Sequence, residues 1–272
     1  MVWDWEASAQ GRYLTSQAWK AAGCLAAFSA RIGGTSDDPY RSLNLGLHVG
    51  DDSMQVLANR QSFARLLGIA FDRLVCGEQV HGTAVAVIDA KDCARGVSEL
   101  ETVVPAVDAL ITIEPGVYLM AFFADCIPVF LFDPVQKAVG IAHAGWKGTA
   151  GRIGAETVRA MQQRFGSVPQ DLLAFIGPGI GPECYPVDEQ RAALASELFT
   201  FHEEIIYSIE GKWRYAWNLK HTNRKILLEA GLAPDRIEVS PDCTCCMPET
   251  YFSYRGTGPT TGRMAAVIGV MP

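Results

Sequence analysis

Long apolar runs with few interruptions dominate the middle of the chain. Three of them follow one another at 117–123, 127–132 and 138–142. A strand with one solvated face alternates apolar and polar residues, whereas a strand covered on both faces is almost continuously apolar. These runs therefore predict central, buried strands.

Shorter apolar segments and helical spacings predict the surrounding elements. Further strands are predicted at 24–29, 74–76, 84–88, 172–176, 237–239, 251–254 and 264–268. Helices are predicted from Asp52 to Gly68, from Gly148 through Phe165, from Asp188 to about Phe201 and from Asn218 to Gly231, where capping or terminating residues flank apolar helical spacings. Because strands and helices alternate irregularly without a fixed repeat, we expect an α/β (α+β) fold with mixed central β-sheets and outer helices.

The composition limits the class of protein and its partners. Of 272 residues, 49% are apolar and 19% are charged, which is typical of a folded globular chain. No linker-like segment divides the sequence, so we predict one domain over residues 1–272. The net charge of −7 argues against a nucleic-acid partner, because phosphate-backbone binding needs clustered Lys and Arg.

The first residues and the longest apolar runs favour a cytoplasmic protein with no membrane segment. The sequence MVWDWEASAQGRYL has early acids and no apolar core of a secretory signal. No apolar run reaches the roughly 18 residues of a membrane span. In this compartment the eight cysteines are expected to be reduced thiols or metal ligands, not a disulfide framework.

Among the five histidines, His81 and His143 are the strongest candidates for chemistry. Each falls at the end of a predicted apolar strand and close to a glycine, where loops gather over a sheet. Cys126 lies at a comparable junction. His202 and His221 lie in predicted helical regions, where packing or solvation explains them.

Two imidazoles and one thiolate suit Zn²⁺, and three protein ligands leave the fourth tetrahedral position open. The wide spacing of His81, Cys126 and His143 argues against a zinc finger, whose ligands come in close local pairs, and ordinary buried residues are the alternative to a metal site. The same atoms permit a metal-free alternative, in which Cys126 is a nucleophile and His143 is its base. Asp125 is a candidate support for either arrangement or a turn residue.

Other motifs carry weaker signals. Lys147 in the segment GWKGT opens a predicted helix and is a candidate anion ligand, although simple helix entry explains the segment equally well. The group Cys243-Thr-Cys-Cys246 lacks a matching second pair, so packed or redox-sensitive thiols are favoured over a metal cluster. Arg255 and Arg263 are candidates for an anionic substrate or for surface ion pairs.

Several unusual motifs in a fixed order resemble a known family, the laccase-domain polyphenol oxidases that are also described as purine nucleoside phosphorylases. The motifs are RIGGTSDDPYRSLNLGLHVGDD, NR at 59–60, QVHG, ADCIPV, GIAHAGWKGTAGRI, IGPGIGPECYPVD and SYRGTGPTTGR. The resemblance implies a single-domain layered fold similar to toxin deamidases. It also implies a zinc ion held by His81, Cys126 and His143.

The resemblance further implies phosphorolysis of purine nucleosides, including adenosine, inosine and methylthioadenosine, with hydrolytic deamination of adenosine as a second reaction. The small-molecule partners would be the nucleoside and phosphate, with Asn44, Arg60, Gln79, Lys147 and Arg255 as candidate substrate-binding residues. Five histidines cannot build the blue and trinuclear centres of a multicopper oxidase, although Cu²⁺ bound at the same ligands could oxidise phenols. Gly256 follows Arg255 where the family usually has a second arginine.

Two further functions stay open at this point. Some members of the family are linked to editing of a cell-wall peptide precursor, an amide hydrolysis that the same zinc could perform. A binding module with a closed, structural zinc is the non-enzymatic alternative.

Overall fold

The computed structural model describes residues 2–8, 11–210 and 214–272. The strands in these ranges are, in chain order, β1 (Asp4–Ser8), β2 (Gly11–Thr15), β3 (Cys24–Ser29), β4 (Leu74–Cys76), β5 (Val85–Val87), β6 (Ala109–Thr112), β7 (Tyr118–Phe123), β8 (Ile127–Asp133), β9 (Ala138–Ala144), β10 (Leu173–Ile176), β11 (Pro186–Val187), β12 (Ile206–Ser208), β13 (Tyr215–Trp217), β14 (Ile237–Val239) and β15 (Met264–Val270). The helices are α1 (Gln17–Ala21), α2 (Ser53–Leu67), α3 (Trp146–Ala150), α4 (Ile153–Phe165), α5 (Glu189–Leu198), α6 (Leu219–Glu229) and α7 (Tyr254–Thr257).

The strands form two six-stranded sheets and one small sheet. The first sheet has the order β1-β2-β3-β15-β7-β4, the second β14-β10-β8-β9-β6-β5, and the third β11-β13-β12. Both large sheets are mixed, because β4 pairs with β7, β5 with β6 and β10 with β14 in parallel. The predicted α/β (α+β) fold with mixed sheets and outer helices is confirmed.

The core consists of apolar layers between these elements. Phe28 and Leu119 of the first sheet pack in one cluster with Phe130 and Ile141 of the second. The other face of the first sheet packs against α2, and the other face of the second packs against α4 and α6. The central strands β7, β8 and β9 are buried along their whole length, as their continuous hydrophobicity predicts.

The connection between β7 and β8 is decisive for the candidate site. These strands are adjacent in sequence but belong to different sheets. Residues 124–126 therefore cross from one sheet to the other. Asp125 lies in this crossing with a φ of 93°, a left-handed conformation that is uncommon outside glycine.

Helix α2 agrees with its prediction at both ends. The Asp52 side chain accepts a hydrogen bond from the Met54 N–H, and Gly68 terminates the helix in the left-handed conformation. The predicted helix from Gly148 through Phe165 is instead two helices, because the chain turns at Gly151 and Arg152, the latter with a φ of 60°.

One other predicted element differs from the structure, and some observed strands were missed. The predicted strand at 251–254 is wrong: Tyr251 and Phe252 are buried core aromatics, and Ser253 caps the short helix α7 by accepting the Gly256 N–H. Strands β1, β2, β6, β11, β12 and β13 were not predicted. None of the helices in the described ranges has the length and apolarity needed to cross a membrane.

Candidate metal site and active-site pocket

Three neighbouring strands of the second sheet bring the candidate residues to one end. Strands β8 and β9 are antiparallel, with Pro128 opposite His143, so Cys126, just before β8, lies beside the end of β9. On the other side, β6 pairs with β9 and places Ala109 opposite Ala142. Asp108, the residue before β6, therefore lies beside His143.

His81 reaches the same point from the loop between β4 and β5, where its φ of 61° turns the backbone. The donor atoms of His81, Cys126 and His143 all lie within 4.8 Å of one another. The two imidazole rings are 4.9 Å apart between centroids and nearly perpendicular. One metal ion with bonds of about 2.0–2.3 Å to nitrogen and sulfur fits such a donor set.

Asp108 organises both histidines. Its Oδ1 lies 2.8 Å from His143 Nδ1, which leaves His143 Nε2 to serve as the ligand atom. Its carboxylate also accepts the backbone N–H groups of Val80, His81 and Gly82 at 3.1, 2.9 and 2.6 Å. A carboxylate that orients a ligand histidine in this way is a common support of metal sites.

Sequence reasoning missed Asp108. The available signal was an aspartate directly before the apolar run of β6. Its burial opposes ionisation, but the hydrogen bonds from His143 and the loop N–H groups outweigh burial and keep the pKa of Asp108 below its usual range.

Charge within the cluster favours an ionised thiol. Burial opposes ionisation of Cys126, but the nearby charge of His143 and hydrogen bonds from both histidines lower the pKa of Cys126 to about 6. Burial likewise opposes protonation of His143, and the Cys126 thiolate together with Asp108 raises the pKa of His143 to about 9. A thiolate is the form that binds a metal or acts as a nucleophile, so both interpretations of Cys126 remain chemically competent.

The cluster opens into a cavity of about 460 Å³, within the size range of small-molecule sites. Its aromatic lining consists of Phe122, Trp146, Tyr185 and Tyr254. Its cationic lining consists of Arg191, Arg255 and Arg263. The cavity therefore combines apolar ring faces with guanidinium groups suited to an anion.

Asp125 ties the crossing between the sheets to the rim of this cavity. Its carboxylate accepts the Thr244 hydroxyl and the Arg255 N–H, each at 2.7 Å. These bonds fix the backbone next to Cys126 and also the start of helix α7.

The predicted substrate-binding residues divide into two groups. Gln79 and Arg255 line the cavity. Lys147 is exposed on α3 outside the lining, with its ammonium 5.7 Å from the centre of the Trp146 ring. Asn44 and Arg60 are 0% and 1% exposed and lie behind the lining.

Asn44 and Arg60 bind the protein itself. Arg60 donates to the carbonyl groups of Leu45, Gly96 and Val97 at 2.7–2.9 Å. Its guanidinium also lies 4.5 Å from the centre of the Phe122 ring. Asn44 and Arg60 are thus held by other parts of the protein, and the buried Arg60 Nη2 has no hydrogen-bond partner among the described residues.

Among the lining residues without a functional assignment from the sequence are Trp146, Arg191, Tyr185 and Tyr254. Arg191 lies on the first turn of α5 and is oriented by a hydrogen bond to Asp188. No local pattern distinguishes these residues from ordinary surface residues. His48 also lines the cavity.

The fold and cluster define a mixed α/β protein with a His–Cys–His candidate metal site beside a small-molecule pocket. The chain belongs to the family described as multi-copper polyphenol oxidoreductase laccase, because the model of that family matches residues 25–271.

Named relatives extend this assignment. The chain is 42% identical over 248 residues to the purine nucleoside phosphorylase YlmD of Geobacillus stearothermophilus. This match covers 91% of this chain and 90% of that protein. It is 35% identical to the adenosine deaminase RL5 of an unknown prokaryotic organism, over 82% of this chain and 85% of the other. The crystal structure of YlmD from Geobacillus stearothermophilus superposes with a TM-score of 0.93 and 40% identity, covering 98% of this chain and 99% of that chain.

Proposed function

We propose that the chain is a zinc-dependent purine nucleoside phosphorylase that acts on adenosine, inosine and methylthioadenosine and also deaminates adenosine. The observation that carries the proposal is the convergence of His81, Cys126 and His143 at a cavity with both aromatic and guanidinium walls. The relatives named as purine nucleoside phosphorylase and adenosine deaminase point to the same chemistry.

The metal follows from the donor set. Two imidazoles and one thiolate within 4.8 Å of one another suit Zn²⁺. When bound, zinc supplies Lewis-acid chemistry, which activates water and polarises phosphoryl or carbonyl oxygens. Asp108 holds His143 in the tautomer that presents Nε2 and fixes the His81 loop through its backbone N–H groups.

The walls of the cavity suggest how the substrates are oriented. Tyr185 and Tyr254 offer ring faces that suit a purine base. Arg255 and Arg191 offer charged donors that suit phosphate. Arg255 Cζ lies 4.8 Å from the centre of the Tyr185 ring. The aromatic and cationic parts of the lining are therefore adjacent, which suits a reaction in which phosphate attacks a bound nucleoside.

His48 and Gln79 complete the lining near the metal site. Burial in the cleft and the neighbouring Arg263 and Arg60 lower the pKa of His48 to about 4, so its ring is neutral at physiological pH and can exchange hydrogen bonds with a purine. The Gln79 amide donates to the Phe122 carbonyl at 2.9 Å and accepts the Phe122 N–H at 2.8 Å. Gln79 thus holds the Phe122 backbone and is assigned a positioning role.

The test incubates zinc-loaded protein with adenosine, with and without phosphate, and identifies products by chromatography. Phosphorolysis gives adenine and ribose 1-phosphate only with phosphate, whereas deamination gives inosine and ammonia without it. Cys126→Ala should lose both reactions, and Cys93→Ser, which lies outside the His81–Cys126–His143 cluster, should keep them.

Intact adenosine with the wild-type chain would contradict the proposal. Turnover of a cell-wall peptide amide or a phenol under those conditions would then support one of the alternative functions. Metal analysis of the active protein decides between zinc and copper.

A further inference from the structure

Four cysteines outside the candidate active site come together from two loops. Cys184 lies in the loop after β10, and Cys243, Cys245 and Cys246 lie in the loop after β14. Because β10 and β14 are parallel neighbours, with Ala174 opposite Ile237, the two loops leave the sheet at the same end. The sequence group Cys243-Thr-Cys-Cys246 lacked a partner, and Cys184 supplies it.

The thiols share one point. The sulfur atoms of Cys184, Cys243 and Cys246 lie within 4.8 Å of one another, and those of Cys184 and Cys246 are 3.3 Å apart. The Cys184 thiol also interacts with Cys245. Thiolates around one tetrahedral zinc ion lie about 3.8 Å apart, given zinc–sulfur bonds of about 2.3 Å.

A backbone donor and a buried lysine lie beside this cluster. The Gly181 N–H donates to Cys243 Sγ at 3.1 Å, and such bonds stabilise a ligand sulfur. Lys220 is buried beside this loop and donates to the Ser240 and Asp242 carbonyl groups at 3.0 and 2.9 Å. Its positive charge offsets the excess negative charge that several thiolates leave on a divalent ion.

We propose that Cys184, Cys243 and Cys246 hold a second zinc ion with a structural role, in addition to the His81–Cys126–His143 site. A disulfide would join only two of these sulfurs and leave the others unpaired, whereas a soft metal ion uses them together. Cys245 is the remaining thiol donor in the same loop. This inference does not depend on the reaction catalysed at the cavity.

The second ion would brace one wall of the cavity. The segment between β10 and Cys184 contains Ile180, which lines the cavity, and Tyr185 follows Cys184 directly. The other loop contains Thr244, whose hydroxyl donates to Asp125. A metal link between the loops would therefore hold Tyr185 and the Asp125 crossing in a fixed relation.

The first experiment titrates Co²⁺ into full-length Cys126→Ala protein under reducing conditions. This variant has no thiol at the first site, so any intense thiolate-to-cobalt charge-transfer absorption reports the second site. We expect one equivalent of Co²⁺ with this absorption and its loss when Zn²⁺ is added. A further Cys246→Ser substitution should remove the absorption, and Cys93→Ser in its place should leave it.

Zinc analysis of the purified wild-type chain is an independent measurement. We expect two zinc ions per chain, one in Cys246→Ser and two in Cys93→Ser. Absence of the cobalt absorption in Cys126→Ala, its persistence after Cys246→Ser, or a Cys184–Cys246 disulfide in reductant-treated protein would overturn the proposal. Nucleoside turnover enters none of these readouts, so failure here is distinguishable from failure of the proposed function.

Discussion

Two sets of polar residues lie on opposite sides of the cavity wall. His81, Cys126 and His143 direct their donor atoms to one point beside the cavity. Asn44 and Arg60 come from segments that look equally motif-like, yet they are almost fully buried and bind other parts of the protein. The first set can meet a metal or substrate, whereas the second cannot without rearrangement.

The buried set still influences the cavity, because each member holds a lining residue. Asn44 Oδ1 accepts the Arg263 N–H at 2.9 Å. The Arg60 guanidinium lies against the Phe122 ring. A polar residue in a functional motif can therefore act as a ligand or as a support, and the two roles should separate in experiments.

The largest effect is expected at the candidate metal ligands His81, Cys126 and His143. His143→Gln removes a ligand of the proposed zinc ion, and several kcal/mol of Lewis-acid stabilisation correspond to roughly a 1,000-fold loss of kcat/KM. The measurement is steady-state adenosine turnover. His202→Gln, which changes a histidine outside the cavity lining, is the matched control. Equal activities of the two variants would show that His143 does not act as a metal ligand in the reaction.

Arg60→Met should act on stability. It leaves three carbonyl groups without their charged donor, so we expect a loss of about 3 kcal/mol in the free energy of unfolding. Urea unfolding measures this change. The control Arg65→Met is on the exposed side of the same helix and should change stability by less than about 0.5 kcal/mol.

A different result at Arg60 would be informative. An unchanged free energy of unfolding together with a raised KM for adenosine would show that Arg60 contacts substrate, as the sequence analysis predicted. The support role would then be wrong.

Asp108→Asn tests whether the Asp108 carboxylate supports metal binding by orienting His143 and the His81 loop. The neutral amide cannot stabilise His143 as the carboxylate does and presents an N–H₂ group toward some of the loop N–H donors. We expect zinc affinity to fall by about 10–100-fold, measured by competition with a chromophoric chelator. Asp235→Asn, an exposed aspartate, should leave the affinity unchanged, and an unaltered affinity in Asp108→Asn would refute the assigned role.

The smallest effect is expected on phosphate binding. Arg255→Gln removes one charged donor from the cavity, and a charge-assisted hydrogen bond of about 1.5 kcal/mol predicts roughly a tenfold higher KM for phosphate. Lys147→Gln should leave this KM unchanged, because Lys147 lies outside the lining. Initial rates at varied phosphate concentrations give the KM for phosphate of each variant. A raised KM in Lys147→Gln with an unchanged KM in Arg255→Gln would make Lys147 the phosphate ligand.

Local patterns in the sequence determined many of the elements. The buried strands β7, β8 and β9 follow from continuous hydrophobicity, and α2 follows from Asp52 and Gly68 at its ends. The strand predicted at 251–254 failed because an apolar aromatic pair satisfies burial without strand pairing. Burial patterns report which residues leave water, and they do not report which backbone groups pair.

By itself the sequence indicated the types of ligand, through two histidines and a cysteine at strand ends, and its motifs resembled the family that the comparisons show. Only the tertiary structure decided that Asp108 lies beside His143, that Arg60 faces inward and that Cys184 meets Cys243. These outcomes depend on strand register and on the crossing between two sheets. Such relations join residues far apart in the chain, and no local pattern encodes them because the pairing free energy arises only when the strands have packed.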